Sequence, residues 1–444
     1  MIEISTELLT IIMIGGILLG VLTGFHLGIV IASIGLIVGY LVFGSLVFEL
    51  LYSRFFDLIN HYVLAAIPMF IFMGLMLERS GIADRMYEAL YLWLGGFRGG
   101  LAIITVLIGT IMATCVGIIA ASIAMLTLIG LPSMIKRGYS KSLAAGSICA
   151  GGTLGILIPP SIMLVMYGPM AMISVGKLFM GAFGPGFILS GLYCAYITIR
   201  CLIQPNIAPV VPVEERAVPF IKKTTMLLIS LVPVSLLILS VLGVIFFGIA
   251  PPTEAAGMGA FVSILLVIAY RRFNLQVLKE ASLQTLKLTS MITIIAGMCV
   301  AFVGVFISAG CGKVVEDVIL SAPGGRWGAF VVVMLIIFIL GMFIDWMGII
   351  FIMIPIISPV VPALGFNPVW FAIMICVNLQ MGFMTPPFAP AIFFFRGTAD
   401  PKLGVTMGDI IRGVIPFVIL IMVGLTLCVF FPQIVLWLPS MMVR

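Results

Sequence analysis

Residues 101–135 contain no Lys, Arg, Asp or Glu, and Arg98 before them and Lys136 and Arg137 after them are basic. As one straight helix this stretch would measure ~52 Å at ~1.5 Å per residue, against a bilayer core of ~30 Å. With both charged ends on one side of a membrane, the chain must enter and come back. Residues 101–135 are therefore expected to form a re-entrant helical hairpin, its tip near Thr114–Ser122 (TCVGIIAAS).

The rest of the chain agrees. Hydrophobic residues make up 63% and charged residues 9% of 444 positions, and the mean hydropathy is +1.35. No soluble domain has this composition. Apolar runs are continuous rather than alternating, which favours helices over a β-barrel. The expectation is an all-α polytopic membrane protein, with further spans near 8–25, 27–48, 61–77, 178–199, 224–248, 255–270, 288–311 and 413–436. The formal charge of +6 fits basic loops on one membrane face and calls for no nucleic-acid partner. The eight Cys lack metal-type spacing, and the two His, His26 and His61, cannot form a His-based metal or catalytic cluster. With no nucleophile–base pair and no GxxxxGK[ST] motif, neither an intramembrane enzyme nor an ATP-driven pump is supported.

Residues 327–364 form a second long apolar run, with Asp345 near its middle. Each run is followed by a helix interrupted at Pro-Pro: GTLGILIPPS (Gly152–Ser161) and MGFMTPPFAP (Met381–Pro390). Pro159 lies 60 positions after Gly99, and Pro386 lies 59 after Trp327. Such duplicated interruptions are expected of an inverted-repeat transporter. Charge bias gives an independent reading. If the ends of the first hairpin face the cytoplasm, 17 of the 22 Lys and Arg lie inside, and only Arg54, Lys177, Lys313, Arg326 and Arg444 lie outside. The second hairpin then enters from the opposite side. The implied organisation is scaffold helices 1–97, a first transport repeat 98–176, connecting and scaffold helices 177–325, a second repeat 326–396, and a C-terminal helix 397–444.

A helix broken inside a membrane is tolerated where it lines a wet cavity or is buried in protein, and its freed carbonyls suit a small hard cation. Candidate Na+ ligands in the first half are Thr114, Gly117, Ser122, Thr153, Gly155 and Ile158; in the second they are Gly341, Asp345, Gly382, Met384 and Thr385. Asp345 is a cation ligand, a proton carrier, or a cap for the second arm of its hairpin. Ser161, Asn378, Gln380 and Pro387 are candidates for substrate contact.

Five segments in order, LAAIPMFIFMG (Leu64–Gly74), LPSMIKRGY (Leu131–Tyr139), GTLGILIPPSIMLVMYG (Gly152–Gly168), PPTEAAG (Pro251–Gly257) and MTPP (Met384–Pro387), resemble the large membrane subunit of tripartite ATP-independent periplasmic (TRAP) transporters. The resemblance spans nearly the whole chain. It implies an elevator-type secondary transporter in a bacterial or archaeal cytoplasmic membrane, with two or more Na+ sites driving uptake of an organic acid anion. It also implies two partners: a periplasmic solute-binding protein and a small four-helix membrane subunit, here expected as a separate chain. One departure stands out. Where many members carry a Ser-Gly-Ser tip, this chain has Cys115-Val116-Gly117-Ile118-Ile119, so only Gly117 carries over and Thr114 or Ser122 would have to replace the lost hydroxyls. The alternative is a stand-alone Na+/carboxylate symporter of the divalent-anion type, needing no binding protein.

Overall fold

A computed structural model describes residues 5–442 and is helical throughout, with no strand among them; Arg444, placed outside by charge bias, lies beyond the described residues. The expected hairpins are present. The first consists of Gly100–Val116 and Ile119–Lys136. Its turn is possible because Gly117 takes a left-handed conformation, φ +62°, which a side chain would strain. The second consists of Gly325–Gly341 and Trp346–Ile357. There a carboxylate makes the restart: extended Asp345 precedes the second arm and accepts a hydrogen bond from Met347 N at 3.3 Å, satisfying a donor that helix geometry leaves unpaired.

Each hairpin is followed by its broken helix. The first runs from Lys141 to Thr153, continues as a short 3-10 turn, and restarts at Ile162. The second runs from Pro368 to Met384 and restarts at Pro390. Both Pro-Pro peptide bonds, 159–160 and 386–387, are cis. The second broken helix begins where Asn367 accepts from Val369 N and Trp370 N with Pro368 at the first helical position, where its missing N–H costs nothing. At the mouth of the second hairpin Trp327 meets Phe366 edge-on and Phe330 lies tilted against Trp370, both at a centroid distance of 5.3 Å, joining hairpin to broken helix.

Among the described residues, seven helices are long and apolar enough to cross a membrane, whereas three hairpin arms and the halves of the broken helices are shorter, the last half, Pro390–Thr398, having only 9 residues. Three boundaries differ from expectation. The span 27–48 ends as a helix at Phe43, because Gly44 turns the chain at φ +61°, and a separate helix Leu46–Ile59 follows. That helix carries Glu49, Arg54 and Asp57 among its apolar residues, an amphipathic pattern that a span search passes over. The span 288–311 begins earlier, at Leu275, because Asn274 caps a 34-residue helix. The last span stops at Phe430, just before Pro432.

The small-residue helix Lys141–Thr153 (KSLAAGSICAGGT) is the buried centre of the bundle. It touches the C-terminal helix Met407–Phe430 at backbone distance: a Cβ on Gly146 would lie 2.2 Å from the Gly413 carbonyl oxygen. Close approach of this kind holds membrane helices together where no hydrophobic effect does. Gly146→Leu is expected to force these helices apart and give aggregated protein on gel filtration in detergent; a normal monodisperse peak would show that the contact is dispensable.

A polar tie lies between the helices ending at Ile203 and starting at Phe220. Glu215 accepts from Tyr91 OH at 2.8 Å and pairs with Arg137. These bonds, Tyr91 first, hold the Glu215 carboxyl below its usual range. A depressed carboxylate stabilises the fold above its unfolded pKa, and that contribution is lost as pH falls through the folded value. Below pH of about 4.5, the thermal midpoint of the wild type should therefore fall more steeply than that of Glu215→Gln. The difference should be modest, since the pair is exposed; parallel pH profiles would exclude the linkage.

Candidate functional site

The two halves meet at their breaks. Thr153, last residue of the first broken helix before its 3-10 turn, accepts through Oγ1 from Gln380 Nε2 at 3.2 Å and lies 3.5 Å from Met384 Sδ. Gln380 Nε2 also reaches Tyr193 OH at 3.5 Å, while its Oε1 is buried with no hydrogen-bond partner. Gln380 thus joins two elements that sequence separates by more than two hundred positions.

Around the first break, hairpin tip and broken helix are in contact. A Cβ on Gly117 would lie 3.1 Å from the Pro160 carbonyl oxygen, and one on Gly155 would lie 3.2 Å from Ser122 Oγ. That hydroxyl is buried with no hydrogen-bond partner, an arrangement that costs free energy unless something else satisfies it. Thr114 Oγ1 donates to Ile111 O, Thr153 Oγ1 donates to Ala150 O at 3.0 Å, and Ile158 N donates to Leu154 O at 2.9 Å. Of Cys115 and Val116, the altered tip positions, the structure describes no side chain.

The second break repeats the arrangement. A Cβ on Gly382 would lie 3.1 Å from Gly341 Cα, so the hairpin arm rests directly on the broken helix. Phe388 N donates to Met342 O at 3.1 Å, and Thr385 Oγ1 donates to Met381 O at 2.8 Å. Met384 is buried and Asp345 half-buried. Asp345 has the capping role considered for it, since its Oδ2 holds Met347 N.

Both tips open onto one cavity of about 370 Å³, within the range of small-molecule sites. Residues 117–120 and 345–347 line it, with Ile156, Ile162, Pro390 and Phe394 from the broken helices. Its other wall is formed by His26 and Leu27 and by Leu288, Met291, Ile292 and Ile295 of the 34-residue helix. The four candidates for substrate contact lie elsewhere. Ser161 Oγ donates to Ile156 O, Asn378 Nδ2 donates to Met334 O at 2.7 Å, and Gln380 ties the breaks as above. Pro387 is exposed and is absent from the cavity lining. Sequence reasoning missed the wall opposite the hairpins. His26 was set aside as one of only two histidines, and nothing in the apolar helix singles out residues 288–295.

Two hairpins and two broken helices closing on one cavity, inside a polytopic helical chain, define an inverted-repeat membrane transporter. Residues 10–434 match the family described as the tripartite ATP-independent periplasmic transporter, DctM component, and the chain belongs to that family. It is 32% identical over 407 residues to the C4-dicarboxylate TRAP transporter large permease protein DctM of Vibrio cholerae, covering 86% of this chain and 87% of that protein. It is 29% identical to the isethionate TRAP transporter permease protein DctMQ of Oleidesulfovibrio alaskensis, over 88% of this chain and 60% of that protein. Its fold is also similar to that of the Alcanivorax borkumensis YdaH transporter, with a TM-score of 0.61 at 16% identity over 87% of this chain and 89% of that one.

Proposed function

We propose that the protein takes up a small organic acid anion with Na+, receiving it from an extracytoplasmic solute-binding protein and working with a small four-helix membrane subunit in the cytoplasmic membrane of a bacterium or archaeon. The observation that carries this reading is the single cavity onto which both hairpin tips open. Na+ would bind at the two breaks. In the first half the candidates are Gly117, Thr114, Ser122, Thr153, Gly155 and Ile158, with the unpartnered Ser122 hydroxyl the strongest of them. In the second they are the backbone of Gly341, Gly382 and Met384, with Asp345 and Thr385. Ion binding there orders the tips, and the anion then binds between tips and scaffold. Coupling arises because a body with only one of its ligands should not move.

The cavity's level suggests which side it serves. The long helix ends at Ser308, the end that charge bias puts outside, and Met291 is ~25 Å below it at ~1.5 Å per residue. Lys279 and Lys287 lie on the inner side of that level. The conformation is therefore read as inward-facing, with residues 98–176 and 326–396 moving as an elevator against residues 1–97 and 177–325.

The test is uptake into proteoliposomes holding this chain and its small subunit, with the binding protein outside and a panel of labelled organic acids. Uptake should need both an inward Na+ gradient and the binding protein. Uptake by this chain alone would instead establish the stand-alone symporter, and uptake indifferent to Na+ would remove the ion from the mechanism. In the same assay Thr385→Ala should raise the Na+ concentration for half-maximal uptake several-fold with unchanged expression; an unaltered Na+ dependence would take Thr385 out of the ion site.

A further inference from the structure

We propose that His26 is the scaffold's contact for the substrate carboxylate, and that the cavity takes an acid bearing one carboxylate on an apolar body. This rests on the transport reading above and adds to it a substrate class and a residue outside both repeats.

The argument is one of inventory. Among the side chains lining the cavity, His26 and Asp345 alone are ionisable; Trp346 adds an indole, and the others come from Ile, Leu, Met, Phe, Pro, Ala and Gly. A carboxylate taken out of water needs hydrogen-bond donors or a cation. Asp345 is an acceptor whose carboxylate is turned onto Met347 N; unneutralised, it repels an anion. An imidazole carries at least one N–H donor in either charge state. His26 is placed to use it. It is the extended residue before the helix Leu27–Phe43, in a turn begun by Gly24 at φ +81°, and its exposed ring stands at the cavity's scaffold wall. Of the other polar side chains near the breaks, Ser161 and Asn378 bond backbone carbonyls and Gln380 bonds Thr153, while the unpartnered Ser122 hydroxyl is absent from the cavity lining and is taken by the Na+ site in the reading above.

A second carboxylate on the ligand would have to lie against Ile, Leu and Met with no remaining donor side chain except the Trp346 indole. An apolar body there gains from burial instead. The lining thus favours one carboxylate over two, and differs from what the name of the Vibrio cholerae relative would suggest for its own substrate.

Three probes of similar length separate the possibilities: 4-methylpentanoate, with one carboxylate and an apolar end; glutarate, with two carboxylates; and leucine, which adds an ammonium group that could meet Asp345. Equilibrium binding of each labelled probe would be measured in Na+ buffer to the permease and its small subunit in lipid nanodiscs, beside the Na+-induced shift in thermal midpoint without any acid. The expected result is 4-methylpentanoate binding about tenfold tighter than either competitor. His26→Ala should lose about tenfold of that affinity, and His26→Gln, which keeps an N–H donor, should recover part of it. Neither variant should change the Na+ shift. Glutarate or leucine binding as tightly, or unchanged binding by His26→Ala, overturns the proposal. If none of the acids binds while the Na+ shift persists, the proposed class fails and Na+ coupling stands. Loss of the Na+ shift as well would bring down the transport reading beneath it.

Discussion

Asp345→Ala is expected to abolish Na+-dependent uptake and to lower thermal stability, whereas Asp345→Asn is expected to lose uptake with stability nearly unchanged. The two variants separate two roles of one carboxylate. As a cap, Asp345 satisfies Met347 N at the start of the second hairpin arm, and losing a cap costs about 1 kcal/mol. Asparagine caps as well as aspartate, so it keeps that contribution. As a cation ligand the carboxylate supplies charge, and charged partners contribute more than neutral ones, about 1.5–3 kcal/mol. Removing the charge should therefore weaken apparent Na+ affinity about 10- to 100-fold. The measurements are uptake against Na+ concentration and the Na+-induced shift in thermal midpoint for both variants. An asparagine variant with wild-type Na+ dependence would leave Asp345 only its structural role, and the ion site in this half would then consist of the backbone at Gly341, Gly382 and Met384 with Thr385.

Much of the architecture was legible because it rests on length and charge. A charge-free stretch longer than the bilayer is thick has to fold back, and Gly117 marks the place where it does so. The Pro-Pro pairs likewise announce breaks, since each proline removes a helix hydrogen bond; single prolines such as Pro185 and Pro416 stay inside helices here, whereas both pairs fall at interruptions. Other features depend on partners distant in sequence. Gln380 is one amide in an apolar helix, and only the fold brings Thr153 and Tyr193 to it; by sequence it looked equally suited to a substrate. Asn378 is a like case, because the Met334 carbonyl that it bonds comes from the hairpin arm and no local pattern shows that partner. His26 and the 288–295 stretch carry no local pattern at all. They line the cavity because a turn and a helix face happen to stand opposite the hairpin tips. Amphipathic Leu46–Ile59 was missed because a search for spans rewards unbroken hydrophobicity, and this helix interrupts it with charge.

Gly348→Leu is expected to drive the protein out of the conformation seen here, because glycine at this position is what lets the second hairpin seat against the scaffold. A Cβ on Gly348 would lie 2.8 Å from Leu27 Cδ2 and 2.9 Å from Ile344 Cγ2. Leu27 belongs to the scaffold wall of the cavity, and Ile344 to the hairpin's own tip. A single methyl could be absorbed by turning those two side-chain ends, but a leucine needs space that the wall does not have. Overpacking of this kind costs about 1–3 kcal/mol, enough to move a balanced two-state equilibrium by about 5- to 150-fold. The clash with Ile344 stays within the hairpin and is common to all conformations, but the clash with Leu27 arises only where Gly348 faces the scaffold, so an elevator that carries the hairpin away from that level escapes this share of the penalty. The variant should then fold and bind Na+ but transport poorly, and a cysteine placed at Leu288 on the cavity wall should become less reactive towards a membrane-impermeant thiol reagent applied from the inside. Leu27→Ala in the same chain should restore transport by making room. If Gly348→Leu simply fails to fold, Gly348→Ala and its Leu27→Ala partner carry the same comparison at smaller amplitude. Transport at the wild-type rate in Gly348→Leu would mean that hairpin and scaffold do not separate and close at this contact, and the moving boundary would have to be drawn elsewhere.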